Sequence, residues 1–162
     1  MINLTVVKSS NKLMEFLKRK NITFSAKRYG IDAMSAMAQG LFASLLIGTI
    51  ISTLGERLSI EFLVNIGSYA KGVAGPAMAV AIGYALQAPP LVLFSLLAVG
   101  SAANTLGGAG GPLAVLVVAI FAAEFGKAVS KETKVDILVT PFVTIVMGVL
   151  LSVWWAPAIG SA

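Results

Sequence analysis

SAANTLGGAGGPLAVL, residues 101–116, places four glycines in five positions, Gly107, Gly108, Gly110 and Gly111, and closes them with Pro112. The run interrupts an apolar stretch of 55 residues from Gly72 to Gly126, far longer than one membrane helix needs. A Walker loop would require Lys followed by Ser or Thr after its last glycine, but Pro112 and Leu113 stand there. The dinucleotide pattern fails as well, because Leu113 occupies the place of its third glycine. A flexible linker is disfavoured by the apolar runs that flank it closely on both sides. What remains is a break in membrane-embedded backbone, which persists only where protein or a water-filled cavity covers its polar groups. Such breaks mark binding sites in transporters, and Pro112 suits the first turn of a new helix whose free N–H groups face a ligand. A tight interhelical turn chosen for close packing fits the same residues, and both readings stand.

Composition carries the membrane reading outward from this stretch. Of 162 residues 57% are hydrophobic and only 12% charged, against about 25% charged in an ordinary soluble domain. Mean hydropathy is +0.91. Seven cations, Lys8, Lys12, Lys18, Arg19, Lys20, Lys27 and Arg28, crowd the first 28 residues, while Glu124 is the one charged side chain between Lys71 and Lys127. The basic balance therefore describes a membrane-flanking segment, and no basic stripe interleaved with aromatics points to nucleic acid. Cysteine and histidine are both absent. Disulfides, thiolate chemistry and the usual general base are thereby excluded, and neither enzymatic activity, metal nor cofactor is expected.

Leu13, Met14, Phe16 and Leu17 alternate with Lys12, Glu15, Lys18 and Arg19 at helical spacing, predicting an amphipathic surface helix within a basic segment 1–28. A transmembrane domain 29–162 follows. Its first span reads as Ile31 to Leu54, residues 55–71 as an exposed or interfacial connection, and its last span as 135–155. The expected fold is all-α, a polytopic membrane helical bundle of about five apolar segments with a glycine-rich break or re-entrant element. Lysines at 127, 131 and 134 ask that this turn share the cytoplasm with the N-terminus, so crossings between 72 and 126 must be odd in number. Three short crossings satisfy this, and so does one crossing plus a re-entrant hairpin.

Two ladders of small residues recur every fourth position: Ala36, Gly40, Ser44, Gly48 and Ser52 on the first span, and Asp136, Thr140, Thr144, Gly148 and Ser152 on the last. Such faces let helix backbones approach closely within lipid. Asp32 and Asp136 read as interfacial N-terminal caps or ion-pair partners of the adjacent cations. An intramembrane carboxylate is a functional candidate, and Glu124 is one, although Lys127 three residues on offers local pairing. Asn104 lies beside the glycine break and Gln87 beside a second interruption at Ala88-Pro89-Pro90, where they either meet a ligand's hydroxyls or satisfy freed backbone groups. The candidate solute-binding set is Asn104, Gly107, Gly108, Gly110, Gly111, Glu124, Gln87 and Thr140.

Successive stretches, KRYGIDAMSAMAQGLFASLLIGTI, the AL-x-APPLVLFS run at Ala85 to Ser95, GGAGGP, AAEFGKAVSKETKVDILVTP and the closing APAIG, resemble the EIIC-like integral membrane family of the bacterial sugar phosphotransferase system. The resemblance covers residues 18–162, and the family includes perfringolysin-regulator-like members. It implies a multi-pass bacterial cell-membrane permease, N-terminus cytoplasmic, binding and translocating a small polar solute such as a sugar. Family members carry a second membrane half, so this chain reads as an N-terminal half. The family's relay domains use His or Cys, so no phosphoryl group is carried covalently here in that manner. A non-transporting sensor that binds a small solute and signals to a partner is the alternative, and a purely structural membrane protein a third. The expected partners are the lipid bilayer, the solute, and a homo-oligomer or separate second half, no nucleic acid among them. The ladders at Gly40 to Ser52 and Thr140 to Ser152 are expected to lack neighbours until such a partner covers them.

Overall fold

The computed structural model describes residues 2–20, 22, 25–132 and 134–161, and among them it is all-helical, with no strand. Helix α1, Ile2–Arg19, precedes the long helix α2, Lys27–Leu58. Then come α3, Glu61–Gly72; α4, Ala74–Ala85; α5, Pro90–Gly107; α6, Gly111–Val129; and α7, Asp136–Ser161. By length and composition three helical runs are long and apolar enough to cross a membrane: Lys27–Leu58, Pro90–Val129 and Asp136–Ser161. The second of these is no single rod. Gly108, at φ 55° and ψ −125°, turns the chain through a conformation that side chains resist, and α6 folds back along α5. Val92 near the start of α5 therefore lies against Gly126 near the end of α6.

Breaks elsewhere have equally local causes. Helix α2 ends at Ser59, which is left-handed at φ 55°, and the Ile60 N–H donates to the Gly55 carbonyl in a Schellman closure. Pro76 forbids a continuous helix from α3 into α4, since it lacks the donor for the Gly72 carbonyl and its ring would collide there. The chain bends at Val73, whose carbonyl accepts from the Ala77 N–H. At 86–89 the left-handed Gln87 and the extended Pro89 end α4 and start α5 with Pro90 in its first turn.

Close backbone approaches set the order of packing. A Cβ added at Gly40 would stand 2.6 Å from the Ala77 carbonyl oxygen, and one at Gly48 would stand 2.8 Å from that of Gly67. Helix α2 thus runs antiparallel to α3 and α4 in turn. A Cβ at Gly75 would stand 2.5 Å from the Gly100 oxygen, joining α4 to α5, and Gly148 of α7 rests on Val99 of α5. Both ladders are consumed by this packing. Gly40, Ser44, Gly48 and Ser52 are buried against α3 and α4, while Thr140, Thr144, Gly148 and Ser152 are buried against α5 and α6. The expectation that they await an oligomeric neighbour is therefore corrected: the same chain covers them.

Two further corrections follow from the helix bounds. Residues 55–71 are not a connection but the helical hairpin between α2 and α3, closed by Gly55 against Val64. Asp32 lies inside the continuous α2 with helical backbone and makes no side-chain cap. Between 72 and 126, α4, α5 and α6 form three successive antiparallel legs. At their centre Met78, Ile82, Leu96, Val99, Val115 and Val118 form a core with Ala33 of α2 against it.

Candidate functional site: a charge cluster at one end of the bundle

At the end of α4 the Gly83 and Tyr84 carbonyls accept from the Ala88 and Gln87 N–H groups, and cations satisfy the Leu86 carbonyl beyond them. The Leu86 carbonyl accepts from the Arg28 guanidinium of α2 at 2.6 Å and from the Lys127 ammonium of α6 at 2.7 Å. Lys127 also donates to Glu124 Oε1 at 3.2 Å, with side chains 1% and 13% exposed respectively. Tyr29, beside Arg28, brings its hydroxyl to the same Glu124 carboxylate. One carbonyl, one carboxylate and two cations thus interlock α2, α4 and α6, with the Tyr29 phenol beside the carboxylate.

The N-terminal segment reaches the same end. Arg19 and Lys20 both pair with Glu132 Oε1, at 3.0 Å and 2.5 Å, and Lys20 donates to the Ser130 carbonyl. Both cations also lie over the Phe16 ring, at 5.5 Å and 5.9 Å. The hydrogen bond from Lys20 holds the Glu132 carboxyl below its ordinary 4.5, with the charges of Lys20 and Arg19 adding to it. A carboxyl depressed in the folded state stabilises the folded form above its ordinary value and loses that contribution as pH falls through the depressed one. This triple contact therefore holds at neutral pH. Asp136 opens α7, accepting from the Lys131 N–H at 2.6 Å and from the Thr140 hydroxyl; the expected pairing with the adjacent cation is replaced by these two donors.

The structure divides the eight candidate residues between two ends. Gln87, Glu124 and Thr140 lie at the charged end: Gln87 in the turn after Leu86, Glu124 on Lys127, and Thr140 fully buried on Asp136. Asn104, Gly107, Gly108, Gly110 and Gly111 gather at the other, where α5, α6 and the end of α7 meet. A Cβ at Gly110 would stand 2.8 Å from the Gly160 Cα, and one at Gly111 would stand 2.8 Å from the Asn104 carbonyl oxygen. Gly111 and Glu124 are thirteen helical steps apart on α6, about 20 Å of helix. Sequence reading missed Tyr29 and the Leu86 carbonyl, because a helix end and a distant carboxylate meet only through tertiary packing. The pairing of Glu124 with Lys127 was readable from their spacing. Among the described residues no group of three or more Asp or Glu side chains gathers as a metal site.

An all-helical chain with three runs long and apolar enough to cross a bilayer has the make-up of a polytopic membrane protein. Residues 31–162 match the family model described as phosphotransferase system, EIIC, and the chain belongs to that family. It is a bacterial membrane component of the sugar-transport type, and such domains transport rather than catalyse. Neither the comparison with curated proteins nor that with solved structures returns a match.

Proposed function

We propose that the chain is a permease-type half-unit: a basic surface segment, 1–28, followed by a transmembrane domain, 29–162, that crosses the bilayer five times with its charged end in the cytoplasm. Its crossings are α2, the α3–α4 pair, α5, α6 and α7. The observation that carries this is the ion-paired contact of Arg19 and Lys20 with Glu132, which brings the N-terminal cations and the 127–134 turn to one end, as the positive-inside rule requires. Helix α1 lies on the membrane surface there, its exposed Leu13 and Met14 turned to lipid.

The half-unit reading has two supports. The centre of the bundle is filled by apolar side chains, so a polar solute passes beside it, not through it. The α2–α3 hairpin also runs about 15 Å beyond the level of Gly48 and exposes Ile50, Leu54, Phe62 and Tyr69. A second membrane half or a second copy covers that face and completes the solute path. Along it Asn104 and the turn of Gly107, Gly108, Gly110 and Gly111 meet solute at the outer end and Gln87 meets it at the inner end, while the largely buried Glu124 and the buried Thr140 hold that end in shape through Lys127 and Asp136. A sensor without transport is the second reading, favoured by the same filled core.

Uptake of a panel of radiolabelled hexoses and disaccharides into proteoliposomes tests the proposal. Flux of at least one sugar, reduced in a folded Asn104→Ala protein, is expected. Sugar-induced thermal stabilisation with no flux would instead support the sensor.

A further inference from the structure

Between the end of α1, the 86–89 turn and the 130–132 turn lies a cavity of about 420 Å³. Arg19, Lys20, Lys127 and Lys131 line it, and Glu132 is the one acid among the lining residues. Two of these ammonium groups are withdrawn from solvent, with Lys20 and Lys127 side chains 9% and 1% exposed. Glu132 is shared between Arg19 and Lys20 through a single oxygen, and Glu124 stands behind Lys127, outside the cavity. Asp136, which is not among the lining residues, accepts from the Lys131 N–H and also feels the Lys131 and Lys20 charges from beside the cavity. Arg28 on the far side of the Leu86 carbonyl adds to the positive field. Cations capping helix ends explain Lys127 at Leu86 and Lys20 at Ser130, but not Arg19 and Lys131, which cap nothing described and flank the opening.

We infer that this cavity binds a phosphate oxyanion, with the exposed Arg19 and Lys131 as its outer contacts and the withdrawn Lys20 and Lys127 as its inner wall. A guanidinium fork beside several ammonium groups matches the spread charge of a phosphate better than that of a neutral sugar. Basic pockets between membrane helices at the cytoplasmic surface take anionic lipid headgroups by the same chemistry. Free phosphate offers the same oxygens. Only the lipid source rests on the proposed cytoplasmic placement of this end; in micelles either probe reaches the cavity whatever the orientation, so failure here leaves that topology standing.

The experiment titrates the full chain in neutral detergent with phosphatidylglycerol, with phosphatidylcholine, and separately with sodium phosphate against sodium chloride at equal ionic strength, following thermal unfolding. Phosphatidylglycerol is expected to raise the melting temperature and phosphatidylcholine to leave it unchanged. Arg19→Gln with Lys131→Gln should weaken the apparent affinity about thirtyfold, and Lys131→Gln alone, which disturbs no ion pair described, about fivefold. Lys12→Gln with Lys18→Gln removes the same charge from α1 outside the cavity and should leave the affinity within about twofold. A response to sodium phosphate with the same variant pattern assigns the site to free phosphate. Equal weakening in both double variants, or no stabilisation of the unaltered protein by either phosphate probe, overturns the inference.

Discussion

Gly75→Ala destabilises the protein severely, while Gly30→Ala leaves it unchanged or slightly more stable. At Gly75 the added methyl would stand 2.5 Å from the Gly100 carbonyl oxygen and 2.7 Å from Asn104 Cβ, so backbone meets backbone and no rotamer relieves the overlap. The α4–α5 seam must open along its length. Overpacking of that kind costs about 3 kcal/mol, and Gly75→Leu should not fold at all. At Gly30 nothing lies within 4 Å of the added Cβ, so the substitution only restricts the unfolded chain, a gain of about 0.5–1 kcal/mol. Tryptophan fluorescence of Trp154 and Trp155 during denaturation in detergent reads both. Equal stability of the two variants would contradict the packing of α4 on α5.

Lys127→Met is the second large effect. The ammonium it removes joins the Leu86 carbonyl to Glu124, and it is buried at 1% exposure. Methionine fills the stem's volume but leaves the carboxylate beside Tyr29 with its nearest cation gone. Removing one partner of a buried pair costs about 3–5 kcal/mol, because the remaining charge is desolvated and uncompensated. Adding Glu124→Gln removes that charge, so the double variant should recover most of the loss. A double-mutant cycle on unfolding free energy isolates the coupling. Additive losses would show that the two side chains stabilise the fold independently.

Much of this architecture is legible along the chain because its causes are local. Glycine at 108, proline at 76, 89 and 90, and the four-residue ladders each act within a turn or two of helix, and their spacing announces both the breaks and the close-packing faces. What the ladders touch is another matter. Gly48 meeting Gly67 and Gly148 meeting Val99 depend on which legs become neighbours, and the same stripe would serve an oligomer equally well. The 55–71 hairpin was hidden by its four charges, which read as a connection although the packing on α2 leaves Glu56, Arg57 and Glu61 exposed and seats the Lys71 stem on Gly48. The charged end was half legible. Glu124 and Lys127 are three residues apart, whereas Arg28, Tyr29 and the Leu86 carbonyl reach them only because α2, α4 and α6 converge.

The five-crossing topology with one cationic cytoplasmic end is tested most directly by single cysteines, since the chain has none of its own. Ser130 is buried, so the exposed neighbour Lys131 is the better position, with Ala109 of the glycine turn as its opposite and Ser10 as the N-terminal marker. In oriented membranes an impermeant maleimide should modify Ser10→Cys and Lys131→Cys only from the cytoplasmic side, and Ala109→Cys only from the external side. Modification of Lys131→Cys from outside, or of Ala109→Cys from the cytoplasm, would contradict the account.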